Sequence, residues 1–292
     1  MSKITTCRIS GDDNLISVLN LGNQFLTGVF PSSQSEVVTS GPLELVWSPK
    51  SQLLQLAHTF DLNEMYGENY GYRSGLNQSM VKHLTDKIQF LEKEYNLLYG
   101  DTVIDIGSND ATSLNAYRTN GLKKIGVDPS GWNFKQYYND DTVLIPDFFP
   151  NEELNTHLSK DKAKIITSIA MFYDLEDPIS FARSINNALD NEGIWHFEQS
   201  YMPTMIKMNA YDTICHEHLE FYSLHNIKNI LASADLRIID VEMNGVNGGS
   251  FAVTAAKISS KLKSNDSVIK KYLEEELILG FDTPKPFKEF EA

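Results

Sequence analysis

The chain has 292 residues, 41% of them hydrophobic, and its 39 Asp and Glu against 25 Lys and Arg leave a formal net charge of -14 at pH 7. That surface repels phosphate backbones and argues against a nucleic-acid partner, while the apolar content suffices for one main domain with smaller additions. No run of about 18 apolar residues marks a membrane span, MSKITTCRIS lacks a secretory apolar stretch, and the two cysteines, Cys7 and Cys215, stand far apart, so the expectation is a soluble cytoplasmic protein with no membrane partner.

Residues 1–75 carry short apolar runs (15–21, 25–30, 43–47, 53–56) punctuated by Gly, Pro, Asn and Ser, which predicts a small, loop-rich lobe of short strands. Over 77–97, Met80, Val81, Leu84, Ile88, Phe90, Leu91 and Tyr95 recur at helical spacing. From 101 the rhythm becomes strand, turn, helix. TVIDIG (102–107), KKIGVD (123–128), DTVLIP (141–146), KIITSIAMF (164–172) and GIWHFE (193–198) read as strands, with helices around 110–119, 131–138, 150–158 and 177–189. This alternation predicts an α/β fold, a parallel sheet doubly wound by helices. A helix near 223–234 leads to strands 237–243 and 250–257, joined by NGVNGG, so the last strand should run antiparallel. Five parallel strands and such a hairpin form the Rossmann-like layout of class I methyltransferases, predicted over 76–258. The tail, 259–292, should hold a helix over about 267–279, capped by Ser264, Asn265 or Asp266 and ended by Gly280.

The strongest local signal is VIDIGSND (103–110). Its strand ends at Asp105 and turns at Gly107, where a glycine lets backbone N–H groups approach a ligand closely. One glycine is too few for a dinucleotide turn, and the Gly-Lys-Ser/Thr of a phosphate loop is absent. What remains is an acidic-x-Gly-x-Asn turn of the kind that receives the methionine part of S-adenosylmethionine, continued by Ser108 and Asn109. Asp128, followed by Pro129 at the second strand tip, can accept ribose hydroxyls. Asp147 and Phe148 follow the third strand, as partners for an adenine amino group and ring, and Ala170 ends the fourth. A lone strand-end Asp is more often a helix cap. Three acids on successive tips favour the donor.

YDTICHEHLEFYS (211–223) packs His216, Glu217 and His218 just beyond the fifth strand. The pair could chelate zinc, but no third ligand stands at a convincing spacing. It could hold a loop by hydrogen bonds. Beside a methyl-donor site the favoured reading is a general base, with the carboxylate orienting an imidazole. Tyr66, Tyr70, Tyr72 and Arg73 cluster in EMYGENYGYRSGLNQSM (64–80), a lobe interface from which a tyrosine hydroxyl could close over a substrate.

With VIDIGSND, GVDPS, YDTICHEHLEFYS and NGVNGGSF in this order, and CRISGDDNLISVLNLGNQFLTGVFP and YGYRSG before them, nearly the whole chain resembles the sugar C-methyltransferases that act on nucleotide-linked 4-keto-deoxysugars. The resemblance implies proton removal beside a ketone and methylation of the enolate carbon, with His218 as base, Glu217 as its neighbouring acid and Tyr70 or Tyr72 as helper. It also implies zinc held by four cysteines in the N-terminal lobe. Here only Cys7 remains, Ser10 stands in the next place and LVWSPKSQ (45–52) lacks the second pair. The expectation is therefore no metal, with a lobe held by its apolar residues. Many members continue into a further C-terminal lobe of about a hundred residues. The expectation is that Val268, Tyr272, Leu273, Leu277 and Leu279 form an apolar stripe packed on the core, on a partner protein or on a second copy. Sugar O-methylation with the same base, or a binding protein that keeps only the fold, are the alternatives.

Overall fold

A computed structural model describes residues 1–27, 31–66, 70–158 and 161–292, with the side chain of Asn63 outside the description. The end of the 25–30 run thus lies outside the described residues.

The N-terminal lobe pairs β1 (Ser2–Lys3) with β5 (His58–Thr59), and stacks β2 (Ile16–Phe25), β3 (Ser40–Trp47) and β4 (Leu54–Leu56) in an antiparallel sheet. A short helix, α1 (Leu62–Met65), follows. Helix α2 (Gln78–Glu94) starts where the Asn77 side chain accepts from the Ser79 N–H, and buries Leu84, Ile88 and Leu91 along one stripe.

The main sheet then begins. β6 (Thr102–Ile106) is buried at every position, as a central parallel strand covered on both faces must be. Next come β7 (Lys123–Val127), β8 (Thr142–Ile145), α3 (Glu152–Leu158), β9 (Ala163–Ile169), α4 (Pro178–Ala188) and β10 (Leu189–Ser200). Helix α4 opens on the Asp177 side chain, which accepts from the Ser180 N–H. After α5 (Met202–Met208), β11 (Glu220–Phe221) and α6 (Leu224–Ala232), the hairpin β12 (Leu236–Asn244) and β13 (Ser250–Lys257) completes a sheet of order β12-β13-β10-β9-β6-β7-β8. β13 runs antiparallel to both neighbours, as the hairpin loop predicts. The chain leaves β6 toward β7 and β8, then returns to β9 on its other side. That reversal at the carboxyl ends of β6 and β9 is where open α/β sheets bind ligands.

Two expected helices are only 3-10 turns, Leu114–Ala116 and Gly131–Tyr137. Positive φ at Asn109 and Ala111 blocks a helical start before the first. The second buries only Gly131 and leaves Trp132 62% exposed, so no apolar stripe drives a longer helix. Helix α5, the final α8 (Lys285–Glu291) and the two-residue β11 were not foreseen.

β11 pairs with β4, Glu220 opposite Gln55 and Phe221 opposite Leu54, so the segment after His218 belongs to the lobe's sheet, not to the main one. Phe281, Phe287 and Phe290 of the chain's end join Trp47, Leu45 and Leu56 in the lobe's core. The tail helix α7 (Asp266–Leu279) ends at Gly280, φ +76°, as expected. Its stripe differs from expectation. Tyr272 and Leu273, with Ile269, pack on the main core, whereas Leu277 and Leu279 face solvent. The docking group is instead Glu276, whose buried carboxylate accepts from Leu224 N–H (2.5 Å), His225 N–H (2.9 Å) and Tyr201 O–H (2.7 Å). A carboxylate on the positive end of α6 is a favourable arrangement, and the tail folds back on its own domain. No helix among the described residues is long and apolar enough to cross a membrane.

Candidate active site

One cleft at the carboxyl tips of β6, β7, β9 and β10 is lined by Asp105, Gly107, Ser108, Asn109, Asp128, Pro129, Phe148 and Ala170, and by Tyr70 and Tyr72 of the lobe. Asp147 is exposed beside it, its carboxylate accepting from the Phe148 N–H. Gly107 has φ +74°, and an added Cβ would meet Met171 at 3.1 Å, so the turn needs a glycine for conformation and for room.

Asp128 Oδ1 accepts from Ser130 N–H and O–H (both 2.7 Å), and Oδ2 from Asn109 N–H (2.7 Å). Oδ2 keeps the spare acceptor capacity for a ribose hydroxyl. The Asn109 side chain does something else. Its Oδ1 accepts from Ser74 N–H (2.9 Å) and its Nδ2 donates to the Tyr72 carbonyl (3.1 Å), so it fastens the tyrosine segment to the donor turn. Ser108 Oγ lies 2.7 Å from Tyr138 Oη and is held there.

Asp105 is buried, and its Oδ1 accepts from the Thr167 hydroxyl at 2.5 Å rather than meeting a cation. Burial pushes its pKa from 3.8 up to about 7, against the Thr167 hydrogen bond. A buried carboxylate without a protein cation fits the positively charged S-adenosylmethionine. Since a cation favours the ionised form, donor affinity should climb with pH up to about 7, approaching tenfold per unit below it, and level off above. Titration calorimetry at pH 5.5, 6.5 and 8 checks this, and a flat profile removes Asp105 from the donor's charge balance. Without donor the sign reverses for folding: the neutral acid is favoured in the folded state, so Asp105 lowers stability as pH rises from 3.8 to 7.

On the opposite wall stand the lobe tyrosines, with the His-Glu-His segment outside the lining. The chain bends at His216 and Glu217, which turns the two imidazoles apart. His216 is fully buried in the lobe. It packs edge-on against Phe60 (4.6 Å between centroids) and its Nε2 donates to the Gly41 carbonyl (3.3 Å). It is not brought to the cleft. His218 packs on Tyr173, 4.1 Å between centroids, and its Nδ1 lies 2.8 Å from the Thr213 carbonyl. A carbonyl only accepts, so Nδ1 carries the hydrogen and Nε2 the basic lone pair. Glu217 is half-buried. Burial raises its pKa, opposed by the charge of His218 and a hydrogen bond from Thr27. Neither Glu217 nor His218 lines the cleft itself. Both lie behind Asp174, which does, and whose carboxyl feels their charges.

Asp174, Glu198 and Gln199 complete the wall and were not singled out from the sequence, whereas Tyr66, which stands with them, belongs to the tyrosine cluster named there. Tyr66 O–H donates to Asp174 Oδ2 (2.8 Å), while Asp174 Oδ1 has no partner among the described residues. Burial holds the Asp174 pKa well above the carboxylate range, against the pull of His218, and so keeps a neutral acid at the cleft. Tyr70 is likewise pushed up, first by burial and then by Glu217 and Asp174, and stays a hydroxyl donor. Glu198 is held by His83 (2.6 Å), Lys87 (3.7 Å) and Asn244 (2.9 Å). The Gln199 amide is buried with neither Oε1 nor Nε2 paired among the described residues, which leaves it available to a polar ligand. The signal was present: polar residues at the carboxyl ends of apolar strands, in MFYD and WHFEQ. Among the described residues, no group of three or more His, Cys, Asp or Glu is placed to hold a metal.

Residues 76–241 match the family described as "Methyltransferase domain", and residues 7–66 match "Putative zinc binding domain". The C-methyltransferase NovU of Streptomyces niveus is 28% identical over 98% of this chain and 69% of its own length. Among solved structures, an S-adenosylmethionine-dependent methyltransferase from Clostridium acetobutylicum aligns with TM-score 0.48 and 15% identity, over 61% of this chain and 92% of that one. Magnesium protoporphyrin IX methyltransferase from Synechocystis, with bound S-adenosylhomocysteine, aligns with TM-score 0.46 and 11% identity, over 62% and 88%. A strand order that reverses beside an acidic, glycine-turned cleft, and a family match over more than half of the sequence, lead to one conclusion: the chain belongs to the methyltransferase-domain family, as an enzyme that uses S-adenosylmethionine.

Proposed function

We propose that the enzyme methylates the carbon beside a ketone in a deoxysugar, one carried on a nucleotide. The observation that carries this is the pairing of a pinned imidazole with neutral acids. His218 Nδ1 is tied to the Thr213 carbonyl, which in the neutral ring leaves the lone pair on Nε2, and Asp174, whose Oδ1 has no partner among the described residues, lines the cleft with Tyr66 and Tyr70. A C–H next to a carbonyl ionises only if a base removes the proton while donors hold the oxygen that becomes negative. His218 Nε2, which stands outside the cleft's lining, takes the proton once the ring reaches past Asp174, and becomes imidazolium. Glu217, beside it, balances that charge. Asp174 and Tyr70 donate to the enolate oxygen, and Gln199 is free to fix a sugar hydroxyl or carbonyl. S-adenosylmethionine supplies, when bound, an electrophilic methyl group for the carbanion. The description of NovU as a C-methyltransferase supports this reading. Methylation of a hydroxyl would use the base but give the neutral donors no oxyanion to hold.

The test uses methyl-13C-labelled S-adenosylmethionine with thymidine diphosphate-4-keto-6-deoxyglucose in deuterated water. The expected product carries the label on carbon, and substrate recovered without donor carries deuterium beside the ketone. A labelled O–CH3 signal overturns the carbon assignment.

A further inference from the structure

The N-terminal lobe matches a zinc-binding family over 7–66, yet the atoms at its would-be metal centre are of a different kind. Cys7 and Ser10 have the two-residue spacing of one zinc-ligand pair, and Ser48 and Ser51 repeat it across the lobe. The backbone still forms a tight turn at each pair: Gly11 N–H donates to the Cys7 carbonyl (2.9 Å) and Gln52 N–H to the Ser48 carbonyl (2.8 Å). The two turns meet. Cys7 Sγ lies 3.1 Å from Ser51 Oγ, and Ser10 Oγ lies 3.5 Å from Ser48 Oγ. Two side-chain hydrogen bonds therefore join one turn to the other, Cys7 to Ser51 and Ser10 to Ser48. Cys7, Ser48 and Ser51 are buried.

These residues do not fit the metal. Zinc in a structural site is held by thiolate, imidazole or carboxylate, and three neutral hydroxyls with one thiol give it neither charge nor softness. The shape does fit. Zn–S bonds of about 2.3 Å put tetrahedral sulfurs about 3.8 Å apart, a little wider than the 3.1 Å and 3.5 Å that separate the paired side chains here.

We infer that the lobe is a metal-free knuckle: the hydrogen bonds among Cys7, Ser10, Ser48 and Ser51 close the two turns that a metal would close, and the cradle keeps the geometry of a four-thiolate zinc site. The hydrogen bonds satisfy polar atoms that burial would otherwise leave costly, and the Ser51 carbonyl is held in turn by Asn226 Nδ2 (2.8 Å) at the start of α6. Nothing in the clasp touches the cleft, so its state is measurable apart from catalysis.

The experiment has two arms. The first takes wild type after dialysis against EDTA. Metal analysis should find no stoichiometric zinc, and the melting temperature should not move with chelator. Ser51→Ala, which removes the hydroxyl that bonds to Cys7, should lower the melting temperature by about 2–4 °C, again with or without chelator. The second arm adds cobalt(II) to the Ser10→Cys/Ser48→Cys/Ser51→Cys variant. It should take up one cobalt per chain, with the thiolate charge-transfer and tetrahedral bands that wild type lacks, and its melting temperature should become chelator-sensitive. Zinc retained by wild type through EDTA, an unmoved melting temperature for Ser51→Ala, or a folded triple variant without the cobalt spectrum each overturns the inference. If the triple variant does not fold, the Ser51→Ala and wild-type measurements still decide it.

Discussion

His218→Ala is expected to lower turnover about 10²–10⁴-fold while the affinity for S-adenosylmethionine stays near wild type. The split follows from position. Asp105, Asp128 and the Gly107 turn stand on the main sheet, whereas His218 hangs from the lobe, with Nδ1 donating to Thr213 and Nε2 left as the base. Losing the imidazole removes the acceptor for the α-proton and leaves the donor's contacts in place. Steady-state kinetics with calorimetry for the donor check it. His216→Ala is the control, because His216 packs on Phe60 inside the lobe. If His216→Ala abolishes turnover without loss of stability and His218→Ala does not, the base has been assigned to the wrong ring.

Phe172→Ala should destabilise the fold by about 3–5 kcal/mol, the scale of a large aromatic removed from a core that cannot collapse around the gap. Phe172 is fully buried. It meets Trp195 edge-on at 4.9 Å, Phe197 at 5.3 Å, Phe181 at 5.6 Å and Tyr222 in a stack at 5.5 Å. One ring thus joins α4, β10 and the chain just after β11. Urea unfolding of the two proteins reads the loss from the shift in midpoint. A loss below about 1 kcal/mol would mean that the neighbouring rings refill the space.

The sheet was legible because its strands are apolar runs that stop at polar tips, and those tips are where a ligand sits. Asp105, Asp128 and the antiparallel β13 could be placed from residues 102 to 257 for that reason. Pairings across long distances were not legible. β11 is two residues long and exists because β4 offers it an edge, 165 positions before, with Gln55 opposite Glu220. The same contact separates His216 from His218, which in the sequence are equal candidates. Asp174 lay hidden among strand-end acids until burial and an unpaired Oδ1 set it apart. Glu276 interrupts an apolar stripe in sequence. Only the fold shows that it meets the open end of α6.

The splice of β11 onto the lobe's sheet has a mechanical meaning. In the mechanism proposed above, proton removal would be housed on one support, with His218 and Tyr66 carried together, and methyl delivery on another, with Asp105 and Asp128. A small slide of one support against the other leaves each set of groups internally aligned but changes the gap between base and methyl carbon. Asn109 sits on that seam. Its backbone N–H bonds to Asp128, and its side chain holds Ser74 and the Tyr72 carbonyl. One residue thus ties the turn that lines the cleft to the segment that carries the tyrosines, and a substitution at Asn109 reaches both supports at once.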